Sequence, residues 1–242
     1  MSASTRTAIV TGASQGIGAG IVRGLVERGY CVVANSRHMT QSAEVAASDH
    51  VALVDGNIGE PQTARNIVQT ALQRFGSIDA LVNNAGIFFT KPFIQYTSDD
   101  LRALVSTNIE GFIYITQMVV ERMLAQKSGG SVVTITAALA QNPTRGATAS
   151  VPMLTKGGLT VITRHLAMEY AAEGIRFNAV APGEVDTPLH KETPKDVMRS
   201  QSPMGVISSV KDIADAVIYL TEAKTVTGDI LYVDGGSHLG RW

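Results

Sequence analysis

The stretch TGASQGIG, residues 11–18, places glycines at 12, 16 and 18 directly behind the apolar run TAIVT of residues 7–11. A strand that turns into a helix through three glycines uses backbone conformations that glycine adopts at low cost, and it lets a ligand approach the main chain closely. The helix that starts near Gly16 then offers free N–H groups and the positive end of its dipole to an anion. A tight strand–helix turn accounts for these glycines by itself, and a phosphate cradle accounts for them too.

Working outward, short apolar and β-branched runs recur at CVVA (31–34), VALV (51–54), ALV (80–82), SVVTIT (131–136), RFNAV (176–180) and ILYV (230–233). Several are apolar on successive residues, as strands buried on both faces of a parallel sheet must be. Helix-length segments lie between them, over roughly 16–29, 60–75, 98–127, 153–173 and 210–221, with Pro61 and the Asp99–Asp100 pair as helix starts. This alternation predicts an α/β fold, a single doubly wound, Rossmann-type domain over residues 1–242. Ligands in such a sheet bind beyond the carboxyl ends of the strands. The unusual residues gather there: Thr11-Gly12, Ser36-Arg37, Asn57, Asn83-Asn84-Ala85-Gly86, Thr136-Ala137 and Ala181-Pro182-Gly183 each follow or end a strand.

The 242 residues suffice for one large core, and 45% apolar with 17% charged residues is an ordinary globular balance. A formal net charge of −1 without a basic stripe points away from nucleic acid. No apolar run approaches the ~20 residues of a membrane helix, and the start MSASTRTAIVTG enters a strand without a signal-type apolar core. The lone cysteine, Cys31, reads as a buried strand thiol. These features predict a cytoplasmic protein with no nucleic-acid or membrane partner and no metal site.

GASQGIG (12–18), NNAG (83–86), Asn108, Lys156 and APGEVDTP (181–188), in that order, resemble the short-chain dehydrogenase/reductase family over essentially the whole chain. The resemblance implies seven strands in the order 3-2-1-4-5-6-7, a bound NAD or NADP, a small-molecule substrate and a homotetramer, or at least a homodimer. It places Gly12, Ser14, Gln15, Ile17 and Gly18 around the pyrophosphate and adenosine. Asn57-Ile58 stands where the family has an Asp-hydrophobic pair at the adenine. Asn83, Ala85 and Gly86 would line the cofactor channel, and Lys156 would hold the nicotinamide ribose. Pro182, Gly183, Val185 and Thr187 would hold the nicotinamide, with the helices near 98–127 and 153–173 at the subunit contact.

Cofactor choice turns on the end of the second strand. An acid there favours a ribose 2′-OH, whereas a guanidinium suits a 2′-phosphate. Asn35-Ser36-Arg37 holds no carboxylate, so NADP is expected with NAD as the lesser alternative, although Arg37 also reads as a solvated surface side chain.

The family's usual site combines an Asn, a Ser, a Tyr and a Lys. Asn108 and Lys156 match, but Pro152 stands four residues before Lys156 where the tyrosine belongs, and Ala137 falls at the serine position. The loop 137–151 is also about two residues longer than usual for such a family member. Substitutes for the missing hydroxyls are Ser150 (otherwise a helix cap), Thr136, His190 (otherwise a surface residue) and Lys156 itself. Two functions follow: an NADP-dependent oxidoreductase with a non-standard active site, or an NADP-binding pseudoenzyme serving as a sensor or assembly subunit. A non-redox enzyme using the same cleft is a third.

Overall fold

The computed structural model describes residues 5–144 and 146–240. Arg145 and Trp242, whose C-terminal tail the family resemblance places near the active site or a neighbouring subunit, lie outside the described residues. Seven parallel strands, β1 (Thr7–Thr11), β2 (Cys31–Ser36), β3 (Val51–Asp55), β4 (Ala80–Asn83), β5 (Gly130–Ile135), β6 (Ile175–Pro182) and β7 (Ile230–Val233), form one sheet in the order 3-2-1-4-5-6-7. Every residue of β1 is buried, which is why its sequence does not alternate.

Side-chain alternation sends Ala8 and Val10 to one face and Ile9 to the other. On the first face α1 (Gly16–Glu27) packs against α7 (Val210–Glu222). A Cβ at Gly20 would collide with Val210 Cγ1, and one at Gly24 would lie 2.7 Å from Ile218 Cδ1. The missing side chains therefore set how closely these two helices approach. The second face carries α2 (Pro61–Phe75), α4 (Gly111–Gln126) and α5 (Ser150–Glu169). Pro61 opens α2, and a capping box between Thr97 and Asp100 opens α3 (Ser98–Val105).

Two features differ from the expected pattern. The helix expected over 98–127 is interrupted: α3 and α4 are joined by a π-turn at Ser106–Glu110, with Asn108 at its centre. By length and composition the whole stretch Ser98–Gln126 is apolar enough to cross a bilayer. Its Ile115, Val119 and Met123 are nevertheless sealed in the core below the sheet, as in any central helix of such a layer. A short helix, α6 (Lys195–Ser200), occupies the segment after β6. Residues 37–50, between β2 and β3, contain a single 3₁₀ turn at Met39–Gln41 and no α-helix, so this crossover lies close over the glycine turn. Ser42 Oγ donates to Ser14 O at 2.7 Å, and Gly16 N donates to Glu44 Oε1 at 3.2 Å.

Candidate active site

Beyond the carboxyl ends of the strands lies a cleft of about 840 Å³. Its walls include the glycine turn, Gly86, Lys156 and Gly183. The turn is held by the strand next door. Thr11 Oγ1 accepts from Asn84 N at 3.1 Å and Ala85 N at 3.0 Å, while Asn84 Nδ2 donates to Thr11 O and Gly12 O, both at 2.9 Å. Gly12 has φ +65, and a Cβ there would stand 2.7 Å from Ala85 Cα; a Cβ on Gly18 would collide with Gly12 O. Only glycine fits at both places. The sequence marks Asn84 only as one of the NNAG residues, because its role lies in a contact between distant segments.

Gln15, Ile17, Ala85, Pro182, Val185 and Thr187 line the same cleft, as the resemblance implies for cofactor residues. Others sit elsewhere. Asn83 is buried and donates to Thr116 Oγ1 at 3.0 Å, so its amide points into the core. Ile58 is buried against Gly111, and exposed Asn57 accepts from Gly59 N in a local turn. Ser14 meets the crossover through its carbonyl. The Ser36 hydroxyl is buried without a hydrogen-bond partner among the described residues, and Arg37 is exposed at the end of β2.

At the other end, Lys156 and Asn108 converge on Gly86. A Cβ there would lie 3.2 Å from both Lys156 Nζ and Asn108 Oδ1. Asn108 accepts from Ile87 N at 2.8 Å and donates to Ile87 O at 3.1 Å and Thr155 Oγ1 at 2.9 Å. Its amide thus locks the loop after β4 to α5, and the π-turn aims it there; such turns recur at functional sites. Lys156 Nζ donates to Ile135 O at 2.8 Å. Burial without a compensating charge lowers its pKa from 10.5 to about 8.

The resemblance places Ala137 and Pro152 at the family's serine and tyrosine positions. Ala137 lines the cleft, and Pro152 is buried in the first turn of α5. The proline costs no helical bond, because the helix begins at Ser150 and Thr148 O already accepts from Lys91 N at 3.0 Å. The proposed substitutes fare unequally. Ser150 is exposed and makes no cap, since Ala149 holds the N-cap position without a side-chain bond. Thr136 lines the cleft, but its hydroxyl is turned to Val180 O at 3.2 Å. His190 ends the 3₁₀ turn Pro188–His190, and its side chain lies outside the described residues. Glu184, which sequence reasoning did not single out, is an acidic residue of the cleft wall. Phe88 also lines the cleft, whereas Phe89 packs beside Tyr96 at 6.0 Å and Phe93 is exposed.

A dinucleotide fits these residues: the glycine turn is open where a Cβ would block it, the Ser36 hydroxyl awaits a partner, and Lys156 keeps free donor capacity beside the cleft. The family model described as enoyl-(acyl carrier protein) reductase matches residues 12–238. This chain belongs to the short-chain dehydrogenase/reductase family. It is 30% identical to an L-rhamnose 1-dehydrogenase (NAD(P)(+)) of a Sphingomonas species, over 97% of this chain and 96% of the relative. It is 31% identical to a 3-oxoacyl-[acyl-carrier-protein] reductase of Staphylococcus epidermidis, over 97% and 99%. The structure of a 3-ketoacyl-(acyl-carrier-protein) reductase from Brucella melitensis, complexed with NADH, superimposes with a TM-score of 0.90 at 28% identity, covering 96% of this chain and 98% of that one.

The buried lysine makes a pH signature. Between about pH 8 and the unfolded value of 10.5, the unfolded chain binds a proton that the native chain does not. Native stability therefore rises with pH through that window, and the penalty of burying the charge is fully present below it. Replacing Lys156 by Met is expected to stabilise the protein at pH 7, by up to about 3 kcal/mol, and to lose that advantage by pH 10. Urea midpoints of both proteins at the two pH values check this; parallel curves would refute it.

Proposed function

We propose that this protein is an NADP(H)-dependent oxidoreductase for a small carbonyl or alcohol substrate, with Lys156 in place of a tyrosine as the proton-handling group. The observation that carries the reading is the placement of Gly86 and Lys156 on the wall of the cleft that the glycine turn opens, with Asn108 packed against Gly86 behind them. A relative named for NAD(P)(+) and a neighbour solved with NADH support a nicotinamide cofactor here. Bound in this cleft, the dinucleotide supplies or accepts the hydride. Lys156 then holds its ribose hydroxyls and, as an ammonium below about pH 8, donates a proton towards the substrate oxygen. Asn108 keeps the Gly86–Ile87 segment in register with Lys156. A positioned acid contributes roughly 10²–10⁴ in rate, and a donor to a developing oxyanion roughly 10²–10³. Without the tyrosine and the serine, turnover of ordinary ketones is slow. Pro152 and Ala137 equally favour a second reading, an NADP-binding protein that does not transfer hydride.

NADPH is expected to bind more tightly than NADH, because Arg37 is free of ion pairs among the described residues and can take the 2′-phosphate. Glu44, at the N-terminus of α1 and 3.4 Å from Arg23, opposes it. Calorimetry with both cofactors tests this: Arg37→Ala should lower NADPH affinity about tenfold, and Glu44→Gln should raise it. Equal affinities in the wild type would sink the assignment.

For simple ketones and β-keto esters, NADPH oxidation by the wild type should be very slow, and the double variant Pro152→Tyr, Ala137→Ser should be about tenfold faster or more. Brisk wild-type turnover would place the active-site acid elsewhere.

The outer face of α5 carries Leu154, Val161 and Met168 at 67%, 56% and 82% exposure, seven residues apart along one stripe. Gly157 and Gly158 leave open space beside them. An apolar stripe of this kind suits a second subunit, and we read it as the contact of a homotetramer or homodimer. Light scattering at micromolar concentration should give a multiple of the chain mass, and a monomer would refute the assembly.

A further inference from the structure

Lys156 differs from every other lysine of the chain. Lys127, Lys191, Lys195, Lys211 and Lys224 are exposed and Lys91 is paired with Asp100, whereas Lys156 is 9% exposed and has no ion pair among the described residues. Its amine is held by one carbonyl, Ile135 O, and stands at the wall of a cleft that also carries Ile87, Phe88, Leu139 and Met153. In the family pattern a tyrosine hydroxyl would lie one helical turn away, and its phenolate form would keep the amine charged. Pro152 supplies no such anion.

The groups nearest the amine carry no charge. The end of β5 brings Ile135 to Ala137, the loop after β4 brings Gly86, the π-turn brings Asn108 and α5 brings Met153, none of them ionisable. Glu184, on the loop after β6, is an ionisable group of the same cleft, yet burial alone accounts for the fall of the Lys156 pKa to about 8. Near pH 8 a large fraction of this amine is therefore unprotonated, where a surface lysine is almost wholly charged. Desolvated amines of this kind attack carbonyl carbon.

We infer that Lys156 is a nucleophile that forms an imine with aldehydes and ketones of small apolar body entering the cleft. The proposal goes beyond hydride transfer and shares the cleft and Lys156 with it. The Nζ lone pair bonds to the carbonyl carbon and gives a carbinolamine. The carbonyl oxygen then takes both protons of the amine and departs as water, leaving C=N. No oxidation or reduction is involved.

The test is covalent trapping. The full chain is incubated with benzaldehyde at pH 8 and at pH 6, quenched with borohydride, and read by intact mass and peptide mapping. One benzyl group on Lys156 is expected at pH 8, at least about tenfold in excess over any surface lysine and falling by about tenfold or more at pH 6. Lys156→Arg, which keeps the charge, should abolish it; if that variant fails to fold, mapping of the wild type decides alone. Labelling spread over the surface lysines with Lys156 unmodified would overturn the proposal. NADPH binding is measured on the same preparation by calorimetry. Binding without labelling refutes the nucleophile and spares the cofactor reading, whereas labelling without binding does the reverse.

Discussion

The clamp between Thr11 and Asn84 is the constraint on which the cleft depends. One threonine hydroxyl takes two backbone N–H groups from the loop after β4, and one asparagine amide takes two carbonyls from the glycine turn. Four hydrogen bonds, in good geometry and out of bulk water, thus tie the ends of two neighbouring strands. The turn at Gly12 cannot drift, and neither can Ala85 and Gly86. Because Gly86 abuts Asn108 and Lys156, the clamp also ties the glycine turn to the Lys156 end of the cleft.

Asn108 extends the same logic from the opposite side. All three of its amide bonds go to Ile87 and Thr155, so its side chain serves as a strut between the loop after β4 and α5. An α-helix of uniform pitch would aim position 108 elsewhere, which gives the π-turn a structural purpose. Thr155 continues the chain by donating to Pro152 O at 2.8 Å. Pro152 thus takes a backbone part in the strut that joins Asn108 to α5.

The sheet was legible because its signal is local. TAIVT and CVVA are built of successive buried residues, and burial on both faces demands that pattern wherever the chain folds. The position of the cleft followed from the parallel topology. The rest was hidden where it depends on contacts across long separations. Nothing near Asn84 in sequence marks it as the partner of Gly12, and nothing near Glu44 announces that the helix-free crossover brings it to Gly16 N. Asn83 is turned away from the cleft for a simpler reason: strand alternation sends it to the side opposite Asn84, into the core beside Thr116. Ser150 was misplaced by about a third of a helical turn, because α5 begins at Ser150 itself, leaving its hydroxyl in solvent.

A lysine in a dry wall needs a reason to be there, since desolvating an unpaired ammonium is costly. The first turns of α5 lead the amine to Ile135 O, where it opens onto the cleft with no ion pair among the described residues. Its remaining compensation is the ability to shed the proton, which the depressed pKa makes accessible near neutrality. An amine that exchanges its proton in that range can stabilise an oxyanion when charged and attack a carbonyl when neutral.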